Sequence, residues 1–151
     1  MAFPAAVAEL GYWLNTFAMK PTPQIISKED ALRAYARMMH HLSLDYIEPF
    51  LSDSFYYASQ WVFEEITSKK QYLDYIRPKL ETIRSSGTRV WAELGELDTY
   101  PQGPCLVMAQ GDKDKLVSTV LVEIAGDKIQ RFDMCEVPPP RSVRRTGVYP
   151  V

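Results

Sequence analysis

Apolar positions in the first half of the chain recur mostly at helical spacing, and after Thr88 they alternate. Ala31, Leu32, Tyr35, Met38, Met39 and Leu42 fall on one stripe, with Arg33 and Arg37 opposite, which predicts a helix from Ser27 to about Leu42. Ser27 suits the N-cap, and Asp30 falls in the first turn, where the helix dipole favours an acid. Leu44–Leu51 predicts a second short helix, interrupted near Pro49. Ser54–Ser59 and Trp61–Ile66 are aromatic and β-branched enough to be strands. Thr67 or Ser68 then caps a longer helix to about Ser85. Tyr72, Leu73, Ile76, Leu80 and Ile83 point inward, Pro78 is expected to kink it, and Gly87 ends it.

From Thr88 three or four long strands are expected. Gly111–Asp114 and Ala125–Lys128 form the hairpin turns between them, and Pro138–Pro140 stops the last strand. Helices followed by an antiparallel meander predict an α+β domain with the helices on one sheet face. No glycine-rich phosphate loop argues for a parallel nucleotide-binding fold. If the turns centre as placed, Leu121 pairs with Phe132 on one side and Cys105 on the other. One face then holds Val107, Val117, Thr119, Leu121, Phe132, Met134 and Glu136. The other holds Met108, Ser118, Val120, Val122, Arg131, Asp133 and Cys135. Both faces are substantially apolar and the helices can cover only one, so the outer face is expected to form a homodimer interface. This register puts Cys105 and Cys135 on different faces, out of disulfide reach.

Composition adds boundaries. At 151 residues, 46% of them apolar and 24% charged, the chain has the size and balance of one globular domain. A net charge of −2 gives no reason to expect nucleic acid or an anionic membrane as partner. No segment is apolar enough over a bilayer's width to span one. Two cysteines without a disulfide framework fit a reducing, cytoplasmic compartment. Residues 1–26 read as an extension and linker, 27–138 as the domain and 139–151 as a basic tail. In the extension, Val7, Leu10, Leu14 and Phe17 outline a short amphipathic helix that covers the domain or a partner, and Lys20–Pro23 is a linker. The tail carries Arg141, Arg144 and Arg145, lacks periodicity, and is expected to be mobile or draped over a neighbour.

The run Leu51–Ser59, after two helices and an acidic turn, resembles the first strand of the nuclear transport factor 2-like superfamily. The later helix, the Gly87 break and the strand Ile129–Val137 follow the same plan. The resemblance implies a cone-shaped, curved antiparallel sheet with two to three helices on its concave face. It covers steroid delta-isomerase, SnoaL-type polyketide cyclases, dehydratases and non-catalytic binding modules, so fold does not give function. Carried over position by position, the isomerase base falls on Ser59 and its protonated acid on Thr119. Only the tyrosine is kept, as Tyr35. A hydroxyl cannot take a carbon-bound proton near neutral pH, and that activity is rejected.

The remaining candidates are a pocket and two acids. Met39, Phe55, Tyr57, Ser59, Trp61, Trp91, Thr119 and Met134 are the candidate ligand-binding residues, apolar walls with a few polar tips. They either line a cavity or fill the core. Tyr35, Glu136 and Asp133 are the candidate catalytic residues, with Glu136 facing inward at the strand end and Asp133 turned outward beside Arg131. One of Glu64 and Glu65 faces the pocket, and the spacing does not decide which. His40 and His41 point away from the inward stripe and read as surface residues, so no metal and no cofactor are expected. Three readings follow: a binding protein for a small apolar or aromatic molecule, a cofactor-free isomerase, cyclase or dehydratase, and a structural dimer module that recruits a protein partner.

Overall fold

The computed structural model describes residues 24–25, 27–61 and 64–151. The expected N-terminal helix and the linker to Pro23 lie outside them. The first helix, α1 (Lys28–His41), starts where its cap dictates: the Ser27 hydroxyl accepts from the Asp30 N–H at 3.0 Å. It stops at Leu42, a left-handed residue with φ 53°, whose carbonyl accepts from the Arg84 guanidinium at 2.8 Å. In place of the expected second helix, two 3₁₀ turns follow, Leu44–Tyr46 and Glu48–Phe50, the second built around Pro49. They lead into β1 (Leu51–Ser59).

Among the described residues of the second expected strand, Ile66 forms an isolated bridge with Tyr57, and Glu64 and Glu65 are both exposed outside any strand. The long helix α2 (Lys69–Ser86) is capped by Ser68, contains Pro78, and ends at Gly87 with φ 68°. Its buried stripe is Tyr72, Ile76 and Leu80, one residue per turn. Leu73 and Ile83 pack half-buried beside it.

Four strands complete the alternating half: β2 (Val90–Leu97), β3 (Gly103–Gln110), β4 (Leu116–Ala125) and β5 (Lys128–Cys135). A two-residue strand, β6 (Arg144–Arg145), closes a six-stranded sheet ordered β1-β5-β4-β3-β2-β6. All pairs are antiparallel except β1, which runs parallel to β5. The result is an α+β fold with both helices on one face of a curved sheet. Among the described residues no helix is long and apolar enough to cross a membrane.

The register differs from the expected one by a single residue. Near the turn, Ala125 pairs with Lys128 and Ile124 with Ile129. Glu123 then pairs with Arg131, which leaves Gln130 as a bulge. Every residue of β5 beyond it changes partner: Val122, not Leu121, faces Phe132, and Leu121 faces Asp133. A one-residue shift exchanges sheet faces. The helix-facing side therefore holds Leu106, Met108, Val120, Val122 and Phe132 in the main core. Val107 and Leu121, expected inside, belong to a second cluster on the outer face with Leu97, Cys105 and Val143.

The cysteines are thereby corrected too. Cys105 and Cys135 share the outer face, both free, two strands apart and offset along them. Two strand spacings amount to about 10 Å, still beyond a disulfide. Burial pushes the Cys105 thiol up to about 12 and the Cys135 thiol up to about 11.

The tail is not free. After β5 the chain crosses the outer face, where Pro138 accepts from the buried Thr119 hydroxyl at 2.9 Å and Val143 joins the second cluster. It then runs along the β2 edge: Arg144 and Arg145 pair with Glu96 and Gly95, and the Leu94 N–H donates to Val148 at 2.9 Å. Glu93, 3% exposed, is enclosed by this strap. Its carboxylate accepts from Arg145 Nε at 2.7 Å, the Gly147 N–H at 2.8 Å and the Tyr149 hydroxyl at 3.1 Å. One of the three arginines expected in a mobile tail, Arg145, thus answers a buried acid, and the chain itself covers apolar surface that suggested a second subunit.

Gly95 lets the strap approach. A Cβ there would collide with Val143 Cγ1 and lie 3.3 Å from the Arg144 carbonyl. Backbone on one side leaves little room to yield. Gly95→Ala is expected to destabilise the fold by about 1–3 kcal/mol, the range for overpacked sites, as read from urea unfolding. A silent substitution would mean the strap is not seated as described.

Candidate functional site

The interior of the curve is filled, not hollow. Phe132 meets Tyr35 edge-on at 4.9 Å and Phe55 at 5.8 Å between ring centroids, and Phe55 meets Tyr72 at 4.8 Å. Tyr57 lies 5.2 Å from Tyr72 and 5.5 Å from Tyr75. Met39 is buried in the same cluster. Tyr35, Met39, Phe55 and Tyr57, expected as pocket walls or catalytic, are therefore core. Burial, and then the neighbouring tyrosines, push the Tyr35, Tyr57 and Tyr72 hydroxyls up, so these phenols stay neutral. The Tyr57 hydroxyl donates to the Met134 sulfur at 3.9 Å, and among the described residues the buried Tyr72 hydroxyl has no partner.

The open space lies at the mouth. A cavity of about 420 Å³ opens between the ends of β1, β5, β4 and β3 on one side and α2 on the other. Ser59 and Trp61 form the β1 wall, and Met134 and Glu136 the β5 wall. Val117, Ser118 and Gln110 form the floor, and Tyr75 and Lys79 project from α2. Four of these nine, Ser59, Trp61, Met134 and Glu136, were expected at a site from sequence. Glu136 lines the mouth with an exposed side chain.

The other five were missed for separable reasons. Tyr75 and Lys79 flank the buried stripe of α2, one turn apart, where periodicity alone reads as surface. Ser118 was assigned to the wrong face by the missing bulge, although it is only 2% exposed and aligns beside Val120 on the helix-facing side. Val117 is the extra residue of a second bulge, where Met108 pairs with Ser118 but Ala109 with Leu116. Gln110 ends β3 at the turn, a position with no inward or outward signal.

Gln60, also unremarked in the sequence, holds the mouth together. Its N–H donates to the Met134 carbonyl at 3.1 Å, and its side-chain oxygen accepts from the N–H groups of Glu136 and Val137. Next to it, the Trp61 N–H donates to the Ser59 hydroxyl at 3.2 Å. The turn after β1 is thus tied to the end of β5, and Trp61 stands 48% exposed at the rim.

Three expected site residues lie elsewhere. Trp91 alternates with the core residue Ala92 and is on the outer face, where Arg89 covers its ring at 3.8 Å and Tyr149 meets it at 5.6 Å. Thr119 is fully buried on that same face, engaged with Pro138. Asp133 is there as well, held by Arg131 in a bidentate pair at 2.7 and 2.8 Å within one strand. Among the described residues no group of three metal-ligating side chains comes together. His41 stacks on Tyr46 at 4.4 Å.

With this geometry in place, the comparisons address the fold. Neither a protein-family model nor a curated protein sequence matches the chain. Solved structures do. The chain superposes on a nuclear transport factor 2-like protein of unknown function from Cytophaga hutchinsonii with a TM-score of 0.52 and 11% identity, over 80% of this chain and 97% of that one. It superposes equally, at 0.52 and 11% identity, on a protein of unknown function with a cystatin-like fold from Methylobium petroleophilum, over 83% and 90%. A designed protein with a curved β-sheet also gives 0.52, at 18% identity, over 72% and 86%. The chain has the nuclear transport factor 2-like, or cystatin-like, fold. At these identities the likeness extends to architecture alone.

Proposed function

We propose that this chain is a binding domain for a small, largely apolar molecule, held in the cavity at the mouth of the sheet. The observation that carries this reading is the cavity's lining: an exposed indole, a phenol, a thioether and a valine face the same 420 Å³ space as hydroxyl, amide, ammonium and carboxylate groups. Apolar walls with a few polar groups in a volume of about 300–1,000 Å³ are the usual character of small-molecule sites. A cofactor-free isomerase, cyclase or dehydratase is supported less. Its phenol, Tyr35, is in the filled core, Asp133 is on the opposite face, and Glu136 is exposed to water. A homodimer has the part of the outer face around Tyr56 and Arg131 left to it, and mass in dilute solution tests that part of the reading.

The neutral fluorophore N-phenyl-1-naphthylamine is expected to bind saturably with enhanced emission. Val117→Trp narrows the cavity and should weaken binding while far-ultraviolet circular dichroism stays unchanged. Trp61→Ala, at an exposed rim position, should weaken binding about fivefold through loss of one aromatic contact. Absence of saturable binding, or equal binding by the Val117→Trp variant, overturns the proposal.

A further inference from the structure

We infer that the cavity selects an anion, and that its ligand is an apolar or aromatic carboxylate whose charge is met by Lys79. The inference rests on the binding reading above and adds the chemical class. Lys79 projects from α2 into the cavity half-buried, and among the described residues no carboxylate lies within ion-pair distance of it. Its ammonium lies 5.8 Å from the centre of the Tyr75 ring, so its stem runs beside the phenol that forms the same wall. A lysine partly withdrawn from water without a counter-charge is incompletely compensated, and a bound anion supplies what it lacks.

The neighbouring groups fit an anion's other needs. The Ser118 hydroxyl lines the cavity from a residue 98% withdrawn from solvent. Gln110 and Tyr75 add an amide and a phenol that can donate. A carboxylate accepts through two oxygens and about four lone-pair positions, so it can engage the ammonium and these donors together. Trp61, Val117 and Met134 leave the rest of the space to a hydrocarbon body.

Glu136 is the opposing charge, and the two are not equivalent. Glu136 is exposed at the rim, where water and salt screen it, whereas Lys79 is half-buried on the α2 wall. The less-screened charge decides the sign of the ligand.

Isothermal titration with three probes of one shape tests this: naphthalene-2-carboxylate, naphthalene-2-carboxamide and 2-naphthylmethylammonium. The carboxylate is expected to bind about tenfold tighter than the amide, with the ammonium weakest. Lys79→Met, which keeps the apolar stem, should bring carboxylate and amide to equal affinity. Raising the salt concentration should narrow the preference in the unaltered protein. Equal affinity for all three probes, preference for the ammonium, or a carboxylate preference that survives Lys79→Met overturns the anion assignment but leaves the cavity reading intact. Failure of all three to bind removes both.

Discussion

Phe132→Ala is expected to destabilise the protein by about 3–5 kcal/mol, the range for truncating a fully buried phenylalanine. The ring is wholly inaccessible and touches elements from both halves of the chain: Tyr35 on α1, Phe55 on β1 and, across the strand pair, Val122 on β4. Its removal leaves a void bordered by rigid aromatic rings, which cannot collapse inward as aliphatic side chains do. Domains of this size have about 5–15 kcal/mol in hand, so the variant should unfold at a much lower urea concentration or fail to accumulate. Asp133→Asn, one residue along and on the outer face, should change stability by under about 1 kcal/mol, since its pair with Arg131 is partly open to water. Similar losses at the two positions would contradict the register described for β5.

Arg145→Met should cost about 2–3 kcal/mol. Removing one member of a fully buried ion pair costs about 3–5 kcal/mol, chiefly through the charge left behind. Here Glu93 is nearly inaccessible, but Arg145 is about one-third exposed, and Gly147 and Tyr149 still donate to the carboxylate. Both facts lower the figure. Adding Glu93→Gln to Arg145→Met removes the unpaired charge, so the double variant should regain part of the stability. A double-mutant cycle by urea unfolding measures that coupling. A change below about 0.5 kcal/mol in the single variant, within the ordinary range for surface substitutions, would show that the strap does not enclose Glu93.

Where sequence and structure agree, a local rule was enough. Ser27, Ser68 and Gly87 mark helix ends because caps act within a few residues, and the Leu32, Tyr35, Met39 stripe needs only helical geometry. The β3–β4 pairing from Leu106 to Met108 is as expected, while the last pair before the turn, Ala109 with Leu116, is shifted by the bulge at Val117. The disagreements arise where one residue acts over distance. Gln130 carries no bulge signal of its own, yet it decides which side of β5 and its neighbours faces the helices. The strap shows no periodicity because Val143, Arg145 and Tyr149 each answer a different partner remote in sequence. The mouth was half legible. Strand alternation brought Met134 and Glu136 to it and the family resemblance brought Ser59, while Tyr75 and Lys79 arrive from a helix flank that reads as solvent-facing.

The parallel pairing of β1 with β5 has a consequence for how the chain is made. Tyr57 and Met134 meet across 77 residues. At about 5–20 residues per second of synthesis, β1 leaves the ribosome some 4–15 s before its sheet neighbour β5 exists. During that interval Phe55 and Tyr57 have α1 and then α2 to shelter them, and the edge of β1 that β5 later pairs with is open. The same aromatic run that packs the finished interior is therefore the segment of the nascent chain most exposed to mispairing, and the prompt arrival of α2 after it is the fold's first protection.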